Sequence, residues 1–171
     1  LHIGVNLRKT DKELIASIER LANSGENRFC FHFIKTHLDG YHQDYEYIPE
    51  VENENLKIHL YSDLEKTIRF FSTLDLLITV KLHIGITALS VGTCFVSYNG
   101  KEKTRSMLRS IDAGEYIYTQ ENLDNLLTFL QQLDKQKAAT LYSFDKIKVL
   151  KQEASQHLQF VDSLFLKEHA E

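Results

Sequence analysis

One proline and no low-complexity tract in 171 residues leave no visible disordered arm. Excess positive charge is missing too. The formal net charge is −4, which argues against a general nucleic-acid binder, since neutralising phosphates needs a basic face. Long hydrophobic runs are absent: "DLLITV" and "TCFVSY" fall far short of the roughly 20 apolar residues of a spanning helix, so no integral membrane segment is expected. Cysteine is scarce. Cys30 and Cys94 each sit in an apolar strand-like run and read as buried free thiols of a reducing compartment. Neither common glycine-rich phosphate loop is present, which argues against an NAD enzyme and a P-loop ATPase, and no nucleophile elbow appears. No signal peptide is visible, and a chain that starts at Leu1 rather than Met is expected to continue upstream.

What is there suits one globular domain over residues 1–171, long enough to bury a substantial core. "HIGVNL", "FCFHFI", "LKIHLY", "DLLITV", "TCFVSY" and "EYIY" read as six strands. Between them lie segments of helical spacing, such as Leu14, Ile15, Ile18, Leu21 and Ala22. Two capping boxes, Thr10 with Glu13 and Ser62 with Glu65, predict helix starts. The acidic and aromatic stretch after the second strand reads as a loop. Leu123, Leu126, Leu127, Leu130 and Leu133 line one face of a further helix, and a long terminal helix is expected at about 143–168. Strands alternating with helices, the strands continuously apolar, predict an α/β fold: a Rossmann-like, mostly parallel sheet with helices on both faces.

In such sheets ligands bind outside the carboxyl ends of the strands. Asn6, Arg8 and Lys9 follow the first strand there, Lys81, Leu82 and His83 the fourth, and Ser97, Tyr98, Asn99, Gly100 and Lys101 the fifth. Cations and a proton donor at three strand ends, beside helix amino termini, point to a small anionic ligand. Plainer roles stand beside these. A lone histidine at a strand end is more often structural, and Lys101, Lys103, Arg8 and Lys9 have the composition of turn and loop charges. His37 and His42, with Asp39 and Asp44, match no tight metal-ligand spacing, so no metal is expected; His32 and His59, inside strands, read as structural.

The run from Asp75 through "LLITV", Lys81-Leu82-His83, Val91-Gly92-Thr93-Cys94 and Ser97-Tyr98-Asn99-Gly100-Lys101 resembles the polysaccharide pyruvyl transferase family. That pattern is an aspartate, an apolar strand, Arg-Leu-His, a small-residue helix, Ala-Gly-Val-Pro, a second strand and Ser-Tyr-Asp-x-Lys. "VNLR" is similar to the family's first strand of this half. The resemblance is clear over Asp75 to Tyr118. It implies the carboxyl-terminal half of a glycosyltransferase-B-like fold, with an amino-terminal half or a second copy as partner. It implies transfer of pyruvyl from phosphoenolpyruvate to a sugar of a cell-surface polysaccharide, without cofactor, in the cytoplasm or at the inner membrane face. His83 then corresponds to the general acid, and Arg8, Lys81, Leu82, Ser97, Asn99 and Lys101 to substrate-binding positions. Among the departures from the pattern, Lys81 replaces arginine, Cys94 proline and Asn99 aspartate. Two rival readings are a nucleotide-sugar-binding glycosyltransferase domain of the same fold and a non-catalytic descendant that binds sugar or a partner protein.

Overall fold

The computed structural model describes residues 1–25, 28–36, 46–50, 52–60 and 63–152. Six strands, β1 (His2–Asn6), β2 (Cys30–Lys35), β3 (Leu56–Leu60), β4 (Leu76–Thr79), β5 (Phe95–Tyr98) and β6 (Ile117–Tyr118), form one sheet in the order β3-β2-β1-β4-β5-β6. Every neighbouring pair is parallel. This is the doubly wound order, whose reversal point lies between β1 and β4 and opens a crevice at their carboxyl ends.

Among the described residues, the helices of the sheet-bearing unit are α1 (Lys12–Ala22), α2 (Leu64–Phe71), α3 (Leu82–Ser90), α4 (Glu102–Ser110), α5 (Leu123–Gln131) and α6 (Lys135–Ala139). β1, β4 and β5 carry the centre of the core, with Ile3, Val5, Leu76, Leu77, Ile78, Phe95 and Val96 fully buried. α3 lies close against β5 because residue 85 is glycine: a Cβ there would come within 2.7 Å of the Phe95 ring. Both expected capping boxes give way to aspartates. Asp63 caps α2, accepting from the Lys66 amide at 2.8 Å, and Ser62 lies outside the described residues. Asp11, not Thr10, is the residue before α1, and its carboxylate serves other partners described below.

Chain contacts separate Leu1–Leu141 from Tyr142–Glu171. In the second unit residues 144–152 are helical, and the rest of the expected terminal helix lies outside the described residues. Among the described residues no helix is long and apolar enough to cross a membrane.

Candidate active site

The three central strands carry a polar residue at or next to their carboxyl ends, on the same face: Asn6 pairs in register with Thr79, and Thr79 with Ser97. All three are at most 1% exposed. Two of the three are satisfied within the protein. The Thr79 hydroxyl donates to Asn6 Oδ1 at 3.3 Å, and Asn6 Nδ2 donates to the Ile34 carbonyl at 2.9 Å and to Glu46 Oε1 at 2.7 Å.

Glu46 is the hub. It is 4% exposed and also accepts from the Thr36 amide (2.8 Å), the Thr36 hydroxyl (2.7 Å) and Lys81 Nζ (2.6 Å). Burial opposes its ionisation, but the hydrogen bonds from Lys81, Thr36 and Asn6 prevail and hold the carboxyl at about 2. The segment is fixed beside β1 by a bridge between Arg8 and Glu46 and by the Tyr47 amide donating to the Leu7 carbonyl at 3.0 Å.

A second network ties the loops after β1 and β5. Arg8 donates to both oxygens of Asp11 (3.3 and 3.4 Å) and to the Asn99 carbonyl at 3.0 Å. Asn99 Nδ2 donates to Asp11 Oδ1 at 3.0 Å. Asn99 takes a φ of 49°, a left-handed conformation that asparagine tolerates better than most residues, and its Oδ1 accepts from the Gln120 amide at 3.2 Å. The Arg8 and Lys81 expected to greet an anion therefore each face a buried carboxylate, so the crevice is closer to charge balance than the strand-end residues suggest.

Its remaining attraction for anions comes from the helix starts. α3 and α4 begin directly after Lys81 and Lys101, and neither side chain accepts from the first-turn amides, since an ammonium has no acceptor. Leu82 is half-buried, His83 is exposed in the first turn of α3, and Lys101 is exposed at the start of α4. On β5, just before the loop into α4, the Ser97 hydroxyl is buried with no hydrogen-bond partner. It presses on Gly100, where a Cβ would come 2.2 Å from the Ser97 oxygen. Gly100→Ala is therefore expected to lower stability by about 1–3 kcal/mol. Adding Ser97→Ala should restore part of the thermal midpoint; equal midpoints for Gly100→Ala and the parent would contradict this packing.

The structure joins Arg8 to Asn99, places Lys81, Leu82 and His83 on one turn, and sets Ser97 beside the loop leading to Lys101. Sequence reasoning missed Asp11, Thr36, Glu46 and Thr79. A polar residue at or next to the carboxyl end of each central strand was a usable signal for Thr79. Nothing local marked Glu46. His37 and His42 lie outside the described residues.

A family model described as polysaccharide pyruvyl transferase matches residues 2–102. The match reaches back through the first three strands, further than the resemblance read from the motifs, and stops before Tyr118. Searches of curated proteins and of solved structures find no match.

Proposed function

Since this chain belongs to the polysaccharide pyruvyl transferase family, we propose that the crevice at the carboxyl ends of β1, β4 and β5 binds phosphoenolpyruvate for transfer of its pyruvyl unit to a saccharide. The observation that carries this reading is the pair of helix starts at Lys81 and Lys101, with the unpartnered Ser97 hydroxyl buried beside Gly100 ahead of the second. Phosphoenolpyruvate carries a phosphate and a carboxylate. First-turn amides, Lys101 and the Ser97 hydroxyl offer donors for both, and Arg8, Asn99 and Leu82 shape the wall. Lys81 contributes its charge while anchored to Glu46, so an anion reaching its ammonium shares it with that carboxylate.

Ketal formation protonates the methylene carbon of the enol and develops positive charge on its neighbour. One sugar hydroxyl adds to that carbon, phosphate departs with the former enol oxygen, and a second hydroxyl closes the ring. The two hydroxyl protons balance the one delivered to carbon and the one leaving with phosphate. His83 is the general acid in this scheme, because imidazole titrates nearest neutral pH and position 83 is exposed beside the helix start. The acceptor approaches from solvent above α3. An amino-terminal half of the same fold would close the cleft.

Ser97→Ala separates binding from folding. Removing an unpaired buried hydroxyl should leave the thermal midpoint unchanged or higher, whereas losing its bond to a charged ligand should weaken phosphoenolpyruvate binding about 10- to 100-fold. Unchanged binding in that variant would place the donor elsewhere.

A further inference from the structure

The opposite ends of the strands hold a second cluster, independent of the crevice. His2 and Cys30 are register partners at the first positions of β1 and β2, and His32 lies two residues beyond Cys30 on the same face. Each offers a ligand atom, and these atoms lie within 4.8 Å of one another. His2 is exposed and the other two are half-buried, so Cys30, unlike Cys94, is not the fully buried thiol its sequence context suggested.

We propose that His2, Cys30 and His32 form a zinc site, bound through His2 Nδ1, His32 Nε2 and the Cys30 thiolate, with water in the fourth position. Two imidazoles and a thiolate favour zinc over magnesium or calcium, and three protein ligands leave the usual open place. His2 Nδ1 and His32 Nε2 are 2.9 Å apart, a separation at which they share a proton. Donors around one zinc ion stand roughly 3.3–3.8 Å apart, from the usual bond lengths, so small side-chain rotations let the metal replace that proton.

The surroundings prepare the ligands. His32 Nδ1 lies 2.8 Å from His59 Nε2, so a His32 whose Nε2 binds metal donates its other proton to His59. His59 is itself stacked on Phe70, ring centroids 3.9 Å apart. Zinc binding expels the Cys30 thiol proton as the metal–sulfur bond forms.

The test uses protein without a histidine tag, titrated with Zn²⁺ against a chromophoric chelator and with Co²⁺ by absorption spectroscopy. One zinc per chain is expected, and the Co²⁺ form should show a thiolate-to-metal charge-transfer band. The band should vanish in Cys30→Ser and persist in Cys94→Ala. Zinc affinity should fall more than tenfold in His32→Gln and in the exposed His2→Gln, and about 10- to 100-fold in His59→Gln. Circular dichroism checks that each variant keeps its sheet. No zinc uptake by the parent, a Co²⁺ form without the band, or binding that survives Cys30→Ser and His32→Gln together would overturn the proposal.

Discussion

Glu46→Ala is expected to lower the stability of the chain by about 3–5 kcal/mol, the loss typical of breaking a buried ion pair from one side. The reason is the number of donors that the carboxylate serves. Without it Lys81 Nζ, the Thr36 amide and hydroxyl and Asn6 Nδ2 all lose an acceptor in a region where water hardly reaches. The same carboxylate makes stability depend on acid. Its folded value, about 2, lies below its ordinary 4.5, so its contribution is fully present above about 4.5 and is lost as pH falls towards 2. That interval corresponds to about 3 kcal/mol. Urea unfolding at several pH values, for the parent and for Glu46→Gln, checks both statements. The parent should lose stability across that window and the glutamine variant should lose less. A cost below about 1 kcal/mol for Glu46→Ala would show that the hub is ornamental.

His83→Ala is expected to reduce pyruvyl transfer by about 10²–10⁴-fold, the contribution of a positioned general acid. His83 is exposed on the first turn of α3, and of its polar atoms only the backbone carbonyl takes part in a described bond, accepting from Thr87 at 2.8 Å. Folding should therefore be unaffected. Phosphate release from phosphoenolpyruvate in the presence of acceptor, measured on the full-length protein, is the readout. Near-normal turnover with an unchanged thermal midpoint would remove His83 from the chemistry.

Much of this architecture was legible because its signals are local. Continuous apolar strands separated by helical spacing specify a covered parallel sheet, and the six strands stand within a residue or two of where the pattern puts them. Caps were less legible. "TDKE" and "SDLE" each contain two residues able to start a helix, and tertiary partners decide between them: Asp11 precedes α1 while bonding Arg8 and Asn99. The cations were legible, but their neutralisation was not. Glu46 sits in an acidic stretch without periodicity, ten residues beyond Thr36, and only the fold brings it to Lys81. Likewise the register that sets His2 beside Cys30 belongs to strand pairing, which the sequence alone does not disclose.

Departure from the family pattern at position 81 acquires a physical meaning here. An arginine would present a planar fork, whereas Lys81 places a single ammonium 2.6 Å from Glu46 and 3.0 Å from the Thr36 hydroxyl. The proposed donor grip thus shifts towards Lys101, Ser97 and the backbone amides of the two helix starts.

The most direct test of that grip is calorimetric titration of the full-length protein with phosphoenolpyruvate, in parallel with UDP, GDP and CMP. The account predicts saturable phosphoenolpyruvate binding, weakened at least tenfold in Ser97→Ala and in Lys101→Ala, with no nucleotide bound. Nucleotide binding in place of phosphoenolpyruvate, or phosphoenolpyruvate binding that both variants leave intact, would contradict it.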